Sequence, residues 1–198
     1  DFVRARYLDH SESPLRILEL GSGTGGLGVA LALCGAAVVL TDPDLPVRLE
    51  EDDDDDASVT STLALLRATL DRNRDLLAAT TIGTAVAMPL RWGDADHLDA
   101  LLLGRRQGGP AGGGGVTASS AFDLVVGSDV LYDPDAYAPL AATLRALGAP
   151  AVLGYPSRLK KAERAFFDLL ADDFRVEYGP ALLPDYPASL VCVLDPLR

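Results

Sequence analysis

Basic residues are scarce in this chain: 17 Lys and Arg stand against 29 Asp and Glu, a formal net charge of −12. Phosphate backbones are held by Lys and Arg, so nucleic acid is not an expected partner. Histidine and cysteine are scarcer still. His10 and His97 stand alone, and Cys34 and Cys192 have no neighbours at metal-ligand spacing, which argues against a metal site. A disulfide is equally unexpected, and both thiols read as small buried hydrophobes in a reducing compartment. Uninterrupted apolar runs of membrane-spanning length are absent, so no membrane partner is expected. Only one tryptophan is present, which makes its position informative.

What is present suits a globular domain. With 198 residues and an apolar fraction of 48%, the chain reads as one domain, residues 1–198. It opens on Asp1 in a pattern resembling the end of a helix (Phe2, Val3, Tyr7, Leu8). A preceding N-terminal segment is therefore expected, and any targeting signal with it. The acidity is local: residues 50–56 supply seven acids, and the remainder carries −5. The acidic stretch 50–60 and the glycine-rich stretch 104–120 read as surface insertions. A run of like charge is most simply a solvated loop, though it would also attract a basic protein substrate.

The stretch around which the chain is organised is Glu19-Leu-Gly21-Ser22-Gly23-Thr-Gly25-Gly26-Leu-Gly28, following the apolar run Leu15, Ile17, Leu18, Leu20. A buried strand, a glycine turn and a small-residue helix over 27–33 are expected in that order. Helix N-termini present free amides and the positive end of the helix dipole to a ligand. A second strand over 38–41 ends at Asp42, about 20 residues past the glycines, where a carboxylate accepts hydrogen bonds from a ribose diol. Gly21, Gly23 and Gly26 spell the dinucleotide pattern G-x-G-x-x-G, while Glu19, Gly21, Gly23 and Gly25 spell E-x-G-x-G-x-G. A nucleotide cofactor follows from either spelling.

Further strands are expected over 83–90, 122–129, 151–155, 174–178 and 189–194, separated by helices over 63–77, 96–103, 134–147 and 158–170. Such alternation gives an α/β doubly wound sheet of mostly parallel strands with an antiparallel final strand. Its ligand belongs outside the carboxyl ends of the central strands, where the glycines, Asp42, Trp92 and Asp129 should converge. Trp92 reads equally well as core packing or as cover for an adenine face.

Four motifs in order carry a family resemblance: Glu19–Gly28, Thr41-Asp42, Leu90-Arg-Trp92-Gly93, and Phe122-Asp-Leu-Val-Val-Gly-Ser128-Asp129-Val-Leu-Tyr132. Together they resemble the seven-β-strand, class I S-adenosylmethionine-dependent protein-lysine methyltransferases, the group that includes the enzymes modifying valosin-containing protein and Hsp70 chaperones. The resemblance implies a Rossmann-like seven-stranded sheet and S-adenosyl-L-methionine as cofactor. It places Glu19 near the ammonium of the cofactor's methionine, and Gly21, Ser22, Gly23, Asp42, Trp92 and Ser128 in the cofactor site. Asp129 and Tyr132 belong to a D-x-x-Y motif beside the methyl group and the incoming lysine. Family members carry a further cofactor-contacting tryptophan N-terminal to the first residue here.

The expected chemistry is methyl transfer to the lysine of a protein substrate, by a cytoplasmic or nuclear monomer. Asp129 is assigned to orienting the amine and Tyr132 to the acceptor channel, against the plainer readings of a turn cap and of packing. A small-molecule N-methyltransferase, a dinucleotide oxidoreductase and a non-catalytic binding domain are the competing readings. A D/N-P-P-Y motif, expected of a nucleic-acid amino-methyltransferase, is replaced here by Ser128-Asp-Val-Leu-Tyr132.

Overall fold

The computed structural model describes residues 2–48, 59–80, 82–106, 121–157, 160–179 and 189–197. Most of both expected insertions, and the proline-rich link at 180–188, lie outside these residues.

Among the described residues, nine strands form two sheets. In chain order they are β1 (Arg16–Leu20), β2 (Ala37–Asp42), β3 (Pro46–Arg48), β4 (Val59–Ser61), β5 (Thr84–Pro89), β6 (Leu124–Ser128), β7 (Ala151–Pro156), β8 (Phe174–Tyr178) and β9 (Ser189–Pro196). Six α-helices connect them: α1 (Gly26–Leu33), α2 (Thr62–Arg72), α3 (Arg74–Ala79), α4 (Ala95–Arg106), α5 (Tyr137–Leu147) and α6 (Lys160–Leu170). The large sheet has seven strands in the order β5-β2-β1-β6-β7-β9-β8. Every pairing from β5 to β7 is parallel, while β9 runs antiparallel to both neighbours. The expected doubly wound sheet with a reversed final strand is what forms. Strand order reverses between β1 and β6, which opens a crevice at their carboxyl ends.

The central strands read as continuous apolar runs because both faces are covered. Leu18, Leu20, Val125 and Leu153 pack toward Leu101 of α4, Leu140 and Leu144 of α5 and Phe166 of α6. Ile17, Val38, Leu40, Val126 and Val152 pack on the other side against Leu31 of α1 and Leu63 and Leu66 of α2. Tyr7 and Leu8, on a short π-helical turn (Arg4–Leu8), and Phe2 and Val3 just before it extend this second layer.

Four local expectations are corrected. The helix expected over 63–77 breaks at Asn73, whose side-chain amide donates to the Thr69 carbonyl at 2.9 Å; a side chain bonding its own backbone competes with helix continuation. The hairpin β3–β4 was not expected, and it brings Leu45 beside Thr62, with the Thr62 amide donating to the Leu45 carbonyl at 2.9 Å. In α6, helical spacing over 158–170 groups Leu159, Ala162, Phe166, Leu169 and Leu170 on one apolar side, whereas Phe167 is buried and Leu169 is 45% exposed. Cys34 is exposed because α1 ends there; Cys192 is fully buried, and burial pushes its thiol up to about 12.

One close approach fixes how α1 lies on the sheet. A Cβ at Gly83, just before β5, would come 1.8 Å from the Ala32 carbonyl oxygen near the end of α1. Gly83→Ala must therefore push the helix and strand apart, and it is expected to lower unfolding stability by at least about 2 kcal/mol in urea titration. A loss below about 0.5 kcal/mol, the range of an ordinary surface substitution, would contradict this packing.

Candidate active site

The glycine turn is stitched to the end of β2. The Ser22 amide donates to the Thr41 carbonyl at 2.8 Å, and the Thr41 amide donates to Ser22 Oγ at 3.0 Å. Thr41 Oγ1 in turn donates to the Glu19 carbonyl at 2.6 Å, and the Gly23 amide donates to Asp42 Oδ2 at 2.9 Å. Asp42 is 8% exposed, and burial raises its carboxyl above the ordinary range, opposed by the hydrogen bonds from the Gly23 amide and the Thr62 hydroxyl. A carboxylate has about four acceptor positions, so Asp42 keeps capacity toward the cavity it lines.

The geometry separates the two spellings of the glycine motif. Gly21, Gly23 and Gly25 all have left-handed backbone, with φ of 62°, 53° and 83°. At Gly25 an added Cβ would stand 2.5 Å from Leu66 Cδ1, whereas at Gly26 it would meet nothing within 4 Å. Gly25 is thus required by conformation and by space, and E-x-G-x-G-x-G is the pattern the fold uses.

Glu19 does not line the cavity. Strand alternation puts its side chain on the Ile17 face of β1, toward α1, and it is 2% exposed. A Cβ at Gly28 would stand 2.5 Å from Glu19 Oε2, so glycine there leaves room for the carboxylate. Oε2 has no hydrogen-bond partner among the described residues. Burial pushes the Glu19 carboxyl from an ordinary 4.5 up to about 7; hydrogen bonds from the Ser22 hydroxyl and Gly28 amide oppose the shift, and the Asp42 charge adds to it.

After β5 the chain turns through Arg91, Trp92 and Gly93, the last with φ 76°. A Cβ at Gly21 would be 3.1 Å from the Trp92 ring, so the indole edge closes against the glycine turn. Trp92 is half-buried and packs on the core, and it also lines the cavity, so both of its expected roles are compatible with its position. His97 Nδ1 accepts the Arg91 amide at 3.1 Å and Asp94 Oδ1 accepts the His97 amide at 3.0 Å, which tightens the turn.

At the end of β6, Ser128 and Asp129 part company. Ser128 lies on the Val126 face and lines a separate cavity of about 350 Å³ with Phe2, Val3, Leu31, Cys34 and Val152. Asp129 takes a left-handed backbone, φ 56°, the only non-glycine to do so among the described residues, and its amide donates to the Gly154 carbonyl at 2.7 Å. Such a conformation costs about 1–3 kcal/mol and concentrates at functional sites. Tyr132 is 61% exposed. Asp133 caps the following turn by accepting the Asp135 amide at 3.0 Å.

Gly21, Gly23, Asp42, Trp92, Asp129 and Tyr132 thus converge on one cavity of about 550 Å³ at the carboxyl ends of β1, β2, β5 and β6. Small-molecule sites run from roughly 300 to 1,000 Å³. Asp42, Asp129 and Arg91 line this cavity together with Trp92, Tyr132, Val130 and Pro139. Two carboxylates that accept from a diol and attract a positive charge, beside an indole ring, suit a ligand that carries those groups and an aromatic ring. Among the described residues no cluster of three or more His, Cys, Asp or Glu is placed to hold a metal, and no helix is long and apolar enough to cross a membrane.

Sheet order and the reversed final strand are those of the class I methyltransferase fold. More narrowly, residues 3–53, from the N-terminal turn through the glycine motif and Asp42, match the family model described as lysine methyltransferase. Among solved structures, a predicted O-methyltransferase from Agrobacterium tumefaciens is 15% identical with a TM-score of 0.58, covering 94% of this chain and 76% of that one. Magnesium protoporphyrin IX methyltransferase from Synechocystis PCC 6803, solved with bound S-adenosylhomocysteine, is 17% identical with a TM-score of 0.54, covering 98% and 78%. A TehB-like S-adenosylmethionine-dependent methyltransferase from Corynebacterium glutamicum is 14% identical with a TM-score of 0.54, covering 98% and 87%. At these identities the likeness is one of fold.

The buried Glu19 generates a pH dependence. An acid whose folded value is raised holds its proton longer in the folded state, so stability falls as pH rises from 4.5 through about 7 and is level above that. A component on the order of 3 kcal/mol is involved. Glu19→Gln is expected to remove this component, measured as the difference between urea midpoints at about pH 5 and about pH 8. Equal pH dependence in the variant and the parent would contradict the burial of the charge.

Proposed function

We propose that this protein transfers methyl groups from S-adenosyl-L-methionine to the lysine side chain of a protein substrate. One observation carries the cofactor part: the glycine turn, Asp42, Trp92 and Asp129 wall a single cavity at the point where strand order reverses. In this reading Asp42 accepts from a ribose diol and the Trp92 ring covers a flat base. Bound there, the cofactor supplies an electrophilic methyl group on a sulfonium. The choice of lysine is supported by the family description that matches residues 3–53.

The chain's own contribution is placement and charge. Lysine titrates near 10.4 and reacts only as the neutral amine, so the site has to orient it about 3 Å from the methyl carbon while its proton leaves. Asp129, held by its tether to Gly154, puts a carboxylate at the cavity edge where the substrate ammonium arrives. Tyr132, exposed beside it, lines the approach. The net charge of −12 favours encounter with a basic protein segment.

Asp129→Asn keeps a residue that tolerates left-handed backbone and removes the charge. It is expected to slow methyl transfer by at least about 100-fold while cofactor affinity stays within a few-fold; unchanged turnover would retire Asp129 as the orienting group. Incubation with radiolabelled cofactor and an extract from cells lacking the protein reads the substrate class. A labelled protein band supports lysine in a protein, and label in small metabolites alone overturns it.

A further inference from the structure

We propose that Thr143, in the middle of α5, is a positioning residue of this site: its hydroxyl sets the turn that aims the Trp92 ring into the cavity. The inference rests on the adenosyl reading of that cavity for its binding arm only. Thr143 is 2% exposed, on a helix whose neighbouring Leu140, Ala141 and Leu144 are buried as well. Its hydroxyl is not idle. It donates to the Pro139 carbonyl at 3.0 Å, which turns its lone pairs outward, and it accepts the Gly93 amide at 2.8 Å.

The Gly93 end is equally constrained. Its φ is 76°, and an added Cβ would come 3.0 Å from Pro139 Cβ and 3.2 Å from Pro139 Cα. The chain is therefore pressed flat on the first turns of α5 immediately after Trp92. The ring itself has no polar anchor, since Trp92 Nε1 is buried without a hydrogen-bond partner among the described residues. Its aim is left to packing and to the backbone that carries it; His97 holds that backbone before the ring, at the Arg91 amide, and Thr143 holds it after the ring, at the Gly93 amide. Pro139 of α5, and Ala136 just before it, also line the cavity, so the start of α5 acts as anchor and wall.

Because Trp92 is the only tryptophan, its emission reports the ring directly. Thr143→Val removes the hydroxyl at constant shape; Thr143→Ser keeps it; Leu147→Val loosens α5 one turn further on without removing a polar contact of the Gly93 turn. Thr143→Val is expected to shift the emission maximum and to weaken S-adenosylhomocysteine binding about tenfold in calorimetry. Thr143→Ser should restore both, and Leu147→Val should leave both unchanged after matching for thermal stability. Parent-like emission and affinity in Thr143→Val, or an equal loss in Leu147→Val, would overturn the proposal. Should no variant and not the parent bind S-adenosylhomocysteine, the adenosyl reading fails, while the emission difference between the valine and serine variants still decides the role of Thr143.

Discussion

The site depends on one hydrogen bond between backbone and side chain, from the Gly23 amide to the Asp42 carboxylate. It joins two elements that sequence separates by 19 positions, the turn after β1 and the tip of β2. The paired Ser22–Thr41 bonds prevent either from moving alone. A charge-assisted bond in a largely dry environment is stronger than its counterpart in water, and it also leaves a severe penalty if broken. The glycine turn is therefore preformed, and a ligand entering the cavity meets groups whose ordering has already been accomplished by folding.

Around that fixed pair the remaining walls are borrowed from elements with other duties. Trp92 is at once core and cavity wall, and α5 packs the sheet while holding the turn after Trp92. Asp129 contributes its carboxylate from a backbone conformation that only a tethered residue keeps. Beneath all of this sits Glu19, a buried carboxyl whose value near 7 reflects lost hydration. Its position under the turn ties the packing of α1 to the state of one proton.

Much of this was legible in the sequence because glycine and strand patterns have few physical solutions. The offset from the glycines to Asp42 brought a carboxylate to the turn, and apolar runs bounded by glycine and proline located the sheet. Direction was harder to read than position. Glu19 and Ser128 both end up on the α1 side of their strands, one under the turn and the other in a separate cavity, as the two-residue period of a strand dictates once register is known. The resemblance put both in the cofactor site, and the cavity lined by Gly21 and Asp42 includes neither. Thr143 gave no signal, since a threonine among leucines in a helix reads as packing until its partner across the fold is visible. The break at Asn73 and the β3–β4 hairpin were missed for a similar reason: each is settled by a local hydrogen bond or a pairing partner that periodicity does not register.

The central claim is that the glycine turn, Asp42 and Trp92 serve one adenosyl group. Titration calorimetry of the parent and of Asp42→Ala with S-adenosylhomocysteine, and of the parent with NAD(H), tests it most directly. The account predicts one-to-one micromolar binding of S-adenosylhomocysteine by the parent, at least about tenfold weaker binding by the variant, and no heat with NAD(H). Tight binding of NAD(H), or equal affinity of parent and variant for S-adenosylhomocysteine, would contradict it.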